Sequence, residues 1–461
     1  MVVVANVEPV TLRLYDTATQ EVVPLAQRDP GKVSLYVCGP TVYGPPHIGH
    51  GRTMLVYDVL VRYLRWRGLD VTFVSNITDI DDKIIARAIG EDRDAADIAV
   101  KCEAVWWDAA KRLDVARPDL TPHATDYVDG MIELIQELLD GGKAYQISAG
   151  VYLSVEHVDG YGVLAHQSLE SLQEGGGERE VVEAEKRHPA DFVLWKPAKE
   201  GEPSWPSPWG DGRPGWHTEC VVMSLDLLGE GFDLHTGGLD LTFPHHENER
   251  AQAVALGRDF ARHWMHHGFV ELEGEKMSKS LGNVTNLLDL TEAYDPRAYR
   301  LLILRSHYRS PIEVTDATMV DAEAALERLD TFARRTASLA GQPDDGAITE
   351  FSEAMDDDLD TPRAVDVMFR QVREANTALD AGDTEAAARG GATVRGIAGA
   401  LGLVLHDAAV DVPGEIQDLV DRRQAAREAK DFVLADQLRD ELTAAGWTIE
   451  DGPEGPAARP L

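Results

Sequence analysis

The chain alternates between short apolar runs and longer segments with apolar residues at helical spacing. Val33 to Val37 is an apolar run ending at Cys38-Gly39-Pro40, which predicts a buried strand followed by a turn. Met54 to Trp66 has its apolar residues at helical spacing. Val71 to Ile77 is rich in β-branched residues and predicts a second, parallel strand. Asp81 to Ile89 and Cys102 to Leu113 predict helices. This β-turn-α-β order predicts an α/β fold, a Rossmann-like parallel sheet with its ligand at the carboxyl ends of the strands.

The pattern changes near Gly141. From Gly141 to Gly210 short segments alternate, with a Gly175-Gly176-Gly177 run and a Pro/Trp-rich stretch from Trp195 to Trp209. This stretch reads as an insertion between two halves of the sheet. The sheet is expected to resume with Gly231 to His235, a helix from His245 to Leu256, and Gly268 to Leu272 leading into Lys276. From about Met319 the periodicity is helical over Ala322–Leu339, Glu350–Leu359, Ala364–Leu379 and Thr393–Leu405, with Gly341 to Gly346 as a loop. Val412-Pro413-Gly414 marks a linker before a last helix pair, Glu415–Ala429 and Asp431–Ala445. The expected division is 1–140 and 211–300 for the sheet-bearing halves, 141–210 for the insertion, 301–318 for a junction, 319–410 for a helical bundle and 411–461 for a small C-terminal region.

At 461 residues with 44% hydrophobic content, the chain can bury a sizeable core in about three domains. No apolar run approaches the roughly 18 residues needed to span a bilayer, and Met1 to Val10 lacks the basic region of a secretory signal. A soluble cytoplasmic protein is the expectation. Three cysteines, Cys38, Cys102 and Cys220, make no disulfide framework. Cys102, on a helical stretch, reads as a packed thiol. The charge is unusual: 80 acidic against 44 basic residues, net −36, with eleven lysines and 33 arginines. In dilute salt such a field repels RNA. Either the acidic surface is unrelated to RNA, or the chain works in a salt-rich cytoplasm where screening removes the repulsion.

Two short strings carry candidate chemistry. His47-Ile48-Gly49-His50 follows Pro45-Pro46 and precedes a helix, whose free N–H groups and dipole suit phosphate. Lys276-Met277-Ser278-Lys279-Ser280 puts two lysines on a short polar loop. In this order and at this separation, they resemble the signature pair of class I aminoacyl-tRNA synthetases. A third grouping suits a metal. His245 and Glu249 are four apart on an expected helix and share one face. With Cys38 and Cys220 they make a set acceptable to zinc, though two packed thiols and a helix-capping pair fit the spacing as well.

Longer motifs surround these residues. Tyr36-Val37-Cys38-Gly39-Pro40-Thr41-Val42-Tyr43, Asn76-Ile77-Thr78-Asp79-Ile80-Asp81-Asp82-Lys83, Gly215-Trp216-His217-Thr218-Glu219-Cys220 and Phe243-Pro244-His245-His246-Glu247-Asn248-Glu249 resemble the cysteinyl-tRNA synthetase family. The resemblance runs through the catalytic region, is looser from about 320 to 410, and returns at the C-terminus. It implies one Zn²⁺ per subunit on Cys38, Cys220, His245 and Glu249, and a cysteine pocket lined by Thr78, Trp216 and His235. It also implies ATP with Mg²⁺ at Gly49, Asp240, Lys276, Ser278 and Lys279, with His47, His50, Lys276 and Lys279 stabilising the α-phosphate and the leaving pyrophosphate. The inserted segment becomes a connective domain and the C-terminal region an anticodon-binding domain. Thr236 stands where the family usually has the first glycine of a run. The segment from Arg423 to Asp440 resembles the family's anticodon-binding region, and Arg427, Phe432, Asp436 and Asp451 are its candidate base contacts. The tail from Gly455 to Leu461 departs from the family's aromatic-basic ending.

The implied activity is a monomeric cysteine–tRNA ligase acting on L-cysteine, ATP and tRNA(Cys), with no membrane partner. Two other readings share parts of this site: a cysteine ligase with an amino-sugar acceptor, and a non-catalytic RNA-binding paralogue. The Arg423–Asp440 motif argues against the first, and the intact ATP strings and ligand set against the second.

Overall fold

The computed structural model describes residues 12–169, 171, 185–272, 275–276, 286–407, 413–452 and 455–460. They cluster into two compact units, residues 1–332 with 339–405, and residues 333–338 with 406–461.

The first unit opens with an antiparallel pair, β1 (Arg13–Asp16) and β2 (Glu21–Pro24), and is built on a four-stranded sheet: β3 (Lys32–Val37), β4 (Asp70–Ser75), β9 (Leu234–Gly238) and β10 (His263–His267), in the order β10-β9-β3-β4 and parallel throughout. Helix α1 (Ile48–Trp66) is the crossover between β3 and β4. Period-two alternation divides the core between the two sheet faces. Val33, Leu35, Val37, Val71, Phe73, Leu234 and Met265 pack with α1 and the later helices. Tyr36, Val74 and Trp264 pack on the opposite face with Cys38, Cys220 and the inserted segment.

Helices α2 (Asp82–Glu91), α3 (Ala95–Arg112) and α4 (Val128–Asp140) follow β4. An antiparallel sheet of β5 (Ala144–Ile147), β6 (Gly150–Leu153), β7 (Phe192–Pro197) and β8 (Gly212–Pro214) occupies the inserted stretch. Then come α5 (Trp216–Leu228), β9, α6 (Glu247–Ala255) and β10. Beyond β10, β11 (Val270–Leu272) pairs with β12 (Glu275–Lys276) and with β13 (Ile312–Glu313), and α7 (Leu287–Ala293) and α8 (Pro296–Leu304) intervene. Four helices close the unit: α9 (Asp316–Arg335), α10 (Asp345–Asp356), α11 (Thr361–Asp380) and α12 (Thr384–Ala400). Their apolar faces are continuous with that of α1: Tyr63 meets Phe351 edge to face at 6.0 Å and its hydroxyl donates to Asp356 at 2.6 Å.

The second unit pairs α13 (Gly414–Glu428) with α14 (Phe432–Ala444) and the hairpin β14 (Trp447–Gly452)–β15 (Gly455–Pro460), over a small core of Ile416, Val420, Leu442 and Ala458. No helix among the described residues is long and apolar enough to cross a membrane.

Several expectations shift. α1 begins at Ile48, not near Met54, and α3 begins at Ala95, capped by Asp94. The strand expected at Gly231 to His235 lies at Leu234–Gly238. The strand expected from Gly268 is displaced: the sheet's edge is His263–His267, and Val270–Leu272 belongs to the smaller sheet. His-Trp-Met-His-His does not read as apolar, yet all five residues are buried. Burial pulls the His266 and His267 imidazoles down to about 3 and about 4, so both are neutral at physiological pH and can occupy a core. The helix expected to end at Leu359 stops at Asp356, because Asp358 and Leu359 both adopt left-handed backbone.

Candidate active site and metal centre

Three strand ends build the site. The loop after β3 and the loop after β4 are zipped together: Thr78 N–H donates to the Pro40 carbonyl at 3.0 Å and Val42 N–H to the Thr78 carbonyl at 3.2 Å. Asn76 Oδ1 accepts the Gly39 N–H at 2.8 Å. A Cβ on Gly39 would land on the Asn76 carbonyl, so this approach requires glycine. Cys38 therefore stands rigidly at the carboxyl end of β3.

Cys220 comes from α5, and His245 and Glu249 from the segment entering α6. The Cys38 and Cys220 sulfurs are 3.8 Å apart and unbonded. Cys38 Sγ lies 3.5 Å from Glu249 Oε1, and His245 Nε2 lies 3.0 Å from the same oxygen. All four ligand atoms fall within 4.8 Å of one another, and every one is buried. Tetrahedral zinc with bonds of about 2.3 Å to sulfur and about 2.0 Å to N or O would separate sulfurs by about 3.8 Å, sulfur from oxygen by about 3.5 Å and nitrogen from oxygen by about 3.3 Å. The donor set and its spacing fit such an ion.

Two further imidazoles brace the ligands. His217 Nδ1 sits 2.9 Å from His245 Nδ1, which leaves Nε2 of His245 turned toward Glu249 and available to a metal. His235 Nε2 sits 2.7 Å from Glu249 Oε2, holding the carboxylate oxygen that faces away from the sulfurs. The Trp216 indole stacks on the His245 ring at 3.9 Å. Burial pushes the Cys38 thiol well above its ordinary range and the contact with Cys220 adds to the rise. For Cys220 the contact with Cys38 lowers the value, but burial and the Glu249 and Glu219 charges outweigh it and the net shift is upward. Burial pulls His245 well below its ordinary value. Metal binding at this set would release the thiol protons.

Beyond these residues a buried line runs from His246 Nδ1 to His266 Nε2 at 2.8 Å, and from His266 Nδ1 to Thr17 Oγ1 at 2.7 Å. His217, His246 and His266 were not singled out in the sequence. The only signal was the density of histidines around His245.

Thr78 is buried. Its hydroxyl donates to Glu219 Oε2 and accepts from Asn76 Nδ2, each at 3.2 Å. Trp216 lines the open cleft, whereas neither Thr78 nor His235 is among its lining residues.

That cleft, about 360 Å³, runs from Cys38 past His47, Gly49 and His50 to Gly238, Asp240 and Gly268–Val270. His47 is the N-cap of α1 and forms a reciprocal capping box with His50: each backbone N–H donates to the other's Nδ1, at 3.1 and 3.3 Å. The rings stack at 3.6 Å. With Nδ1 accepting, the neutral tautomer of each carries its proton on Nε2, so both rings are donors at the helix N-terminus. Gly51 serves packing: a Cβ there would stand 2.8 Å from Leu287 and 2.9 Å from Tyr299.

Thr236 is an ordinary strand residue, paired with Val37 and Met265, and its side chain reaches the Tyr36 carbonyl at 3.3 Å. A Cβ at 237 would press on the Leu241 and His246 side chains, and one at 238 on the Asp240 carboxylate. Thr236 itself lies within regular strand pairing, ahead of that turn.

Lys276 ends β12 opposite Glu271. Ser278 and Lys279 lie outside the described residues, as does the Asp451 side chain. In the second unit Arg427, Phe432 and Asp436 are exposed on α13 and α14, and Asp436 pairs with Arg439 at 3.4 Å. Phe432 is 64% exposed and is followed by exposed Val433 and Leu434.

A parallel sheet with paired histidines capping its first crossover helix defines a class I aminoacyl-tRNA synthetase catalytic domain. Residues 24–324 match the family model described as tRNA synthetases class I (C) catalytic domain, 350–406 the DALR domain, and 409–456 the cysteinyl-tRNA ligase anticodon binding domain. A solved methionyl-tRNA synthetase from Mycobacterium tuberculosis, in complex with methionyl-adenylate, shares the fold: TM-score 0.59 at 16% identity, over 80% of this chain and 89% of that one.

Curated relatives narrow the family. The cysteine–tRNA ligase of Halorhodospira halophila is 46% identical over 96% of this chain and 98% of its own length. That of Chromohalobacter salexigens is 44% identical over the same shares, and that of Streptomyces avermitilis 43% identical over 97% and 98%. The chain belongs to the cysteine–tRNA ligase family, and its activity is the ATP-dependent charging of tRNA(Cys) with cysteine.

Proposed function

We propose that this ligase selects its amino acid through a single zinc ion held by Cys38, Cys220, His245 and Glu249. A bound zinc ion ionises a thiol and prefers its sulfur to a hydroxyl oxygen. That preference matters because a shape-selective slot separates such close analogues by only about 1–3 kcal/mol. The observation carrying the reading is the agreement of the 3.8 and 3.5 Å sulfur–sulfur and sulfur–oxygen separations with a tetrahedral sphere. Trp216 contacts the bound cysteine, with the buried Thr78 bonded to Glu219 and His235 bonded to Glu249 behind it.

In the first step the cysteine carboxylate attacks the α-phosphorus of Mg²⁺-ATP and pyrophosphate leaves. His47 and His50 donate from Nε2 to the phosphate oxygens that gain charge, backed by the N-terminus of α1. Asp240 binds the ribose, Gly49 admits the phosphates closely, and Lys276, Ser278 and Lys279 neutralise the leaving pyrophosphate. In the second step the terminal ribose of tRNA(Cys) takes the cysteinyl group. Arg427, Phe432, Asp436 and Asp451 read the anticodon. The enzyme works as a cytoplasmic monomer. Residues 1–140 and 211–300 form the catalytic domain, 141–210 the connective insertion, 301–318 a junction, 319–410 the helical bundle and 411–461 the anticodon-binding region.

Cysteine-dependent ATP–pyrophosphate exchange, run with metal-stripped and zinc-restored protein against both cysteine and serine, tests this. Restored protein should activate cysteine and reject serine. Equal discrimination after stripping would overturn the proposal.

A further inference from the structure

Two residues after His50, α1 carries Arg52, which is 1% exposed. A buried guanidinium ordinarily needs a counter-ion, yet among the described residues no carboxylate pairs with it. Carbonyls hold its two terminal nitrogens instead, while Nε is buried without a hydrogen-bond partner among the described residues. Nη1 donates to Phe269 at 2.7 Å; Nη2 donates to Tyr308 at 2.8 Å, Ser310 at 2.6 Å and, more distantly, His307 at 3.4 Å. Burial pulls the group down only to about 10, so it stays a cation at neutral pH. Arg52 thus ties the phosphate-binding end of α1 to two segments at once. One is Gly268–Val270, which walls the cleft. The other is residues 307–310.

Those two segments are also joined to each other. Gly268 N–H donates to the Tyr308 carbonyl at 2.8 Å and Ile312 N–H to the Phe269 carbonyl at 3.0 Å. A Cβ on Gly268 would stand 2.8 Å from the Ser310 carbonyl, so the two backbones are in direct contact.

The far side of 307–310 is held by Asp358. Its Oδ1 accepts the Tyr308 hydroxyl at 2.6 Å and the Tyr15 N–H at 2.8 Å, and Oδ2 accepts Arg309 Nε at 2.8 Å, with His307 3.7 Å away. Asp358 and Leu359 are successive non-glycine residues at φ +60° and +51°. Side chains disfavour that conformation, and it persists where surrounding contacts over-determine it.

We propose that Arg52 and Asp358 are positioning residues for ATP. The strained turn at the start of α11 fixes residues 307–310, whose carbonyls seat Arg52, and Arg52 sets the spacing between the α1 N-terminus and the Gly268–Val270 wall. The inference rests on the reading that this cleft holds ATP. Neither side chain touches the nucleotide. Their effect is the geometry between the phosphate donors and the opposite wall, where a displacement of about 1 Å costs on the order of a hundredfold in rate.

The test is steady-state ATP–pyrophosphate exchange with Arg52→Lys, Asp358→Asn and Tyr308→Phe, each normalised to active sites by an adenylate burst. Lysine keeps the charge but lacks the fork that reaches the Phe269 carbonyl from one nitrogen and the 307–310 carbonyls from the other. Phenylalanine removes only the hydroxyl on Asp358 and is the variant least able to disturb folding. The expected result is a fall of about tenfold or more in kcat/KM for ATP in the first two and a smaller fall in the third. KM for cysteine and zinc content should stay within about twofold. Per-site ATP kinetics within about twofold of the parent in all three, whatever the loss in Tm, would show a purely structural role and overturn the proposal. His50→Ala serves as the control: if it leaves exchange intact, the ATP-site reading fails, independently of Arg52.

Discussion

Replacing His217 by phenylalanine probes how the metal ligands are held. The residue lies outside the proposed ligand set; its Nδ1 is 2.9 Å from His245 Nδ1 and, with His245 Nε2 given to the metal, would accept that N–H and so fix which His245 nitrogen faces the sulfurs. Phenylalanine keeps a ring against Phe192, at 5.6 Å edge to face, and beside Trp216, at 5.2 Å, so packing changes little. What is lost is the acceptor. The His245 N–H then stands buried without a partner, a cost of about 1–3 kcal/mol. Removing a group that holds a metal-binding imidazole lowers metal affinity by about 10–100-fold, or about 1.4–2.7 kcal/mol, which falls in the same range. The expected outcome is zinc bound about 10- to 100-fold more weakly when apo-protein competes with a chromophoric chelator. At saturating zinc, cysteine should still be preferred over serine, because the four ligands remain. His217→Gln restores an acceptor and should recover part of the affinity. Zinc affinity within about twofold of the parent would refute the reasoning, since His245 would then be set by something other than His217.

Three other perturbations have definite outcomes. Cys220→Ser should lose zinc and the cysteine preference together, measured by metal analysis and by exchange; stoichiometric zinc in the variant would contradict the ligand assignment. Lys279→Ala should slow adenylate formation by on the order of a hundredfold while equilibrium dialysis shows cysteine binding unchanged. An equal loss of cysteine affinity would remove the lysine from the pyrophosphate role. For His123, burial lowers the imidazole, but Glu103 at 2.9 Å, with Asp79 and Asp126, outweighs it and the net shift is upward. Its folded value lies above the unfolded value of about 6.5, so its stabilisation is full below about pH 6.5 and is lost as pH rises through the folded value. His123→Gln should flatten the decline in Tm across that window; an unchanged slope would rule His123 out as its source.

The chemistry of the site was more legible than its convergence. His245 and Glu249 share a helix face by spacing alone, and their two side chains do meet at 3.0 Å. Cys38 and Cys220 are 182 residues apart, and nothing in spacing brings them together. Their meeting depends on α5 packing against the carboxyl end of β3, which only tertiary structure supplies. His47 and His50 were visible as a pair ahead of a helix, but not as the cap that starts it six residues earlier than the apolar pattern implied. Histidines are scored as polar, so β10 and the line His246–His266–Thr17 were hidden in plain sequence. The rule that failed is that polar residues lie outside: neutral imidazoles that hydrogen-bond one another can fill a core. Arg52 was missed for the related reason that a buried cation held by backbone carbonyls leaves no partner side chain in the sequence to signal it.

On the proposed reading, selection and activation are mechanically one device. Cys38 closes β3 and His47 opens α1 nine residues later, so the sulfur that would anchor the metal and the imidazole that would meet the phosphate belong to a single strand-to-helix connection. That connection is held on three sides. Asn76 and Thr78 clamp it from the end of β4. Tyr57 bonds the Gly237 and Met265 carbonyls, fixing α1 over the ends of β9 and β10. Thr53 bonds His267 at 2.9 Å. An amino acid captured by its sulfur at one end of this connection can present its carboxylate at only a narrow range of positions relative to the other end. A serine that entered the pocket without binding the metal would lack that fixed origin. Rejection of serine would therefore be expressed twice, in weaker binding and again in slower attack on the α-phosphorus of whatever does bind. Metal selection can then discriminate in kcat as well as in KM.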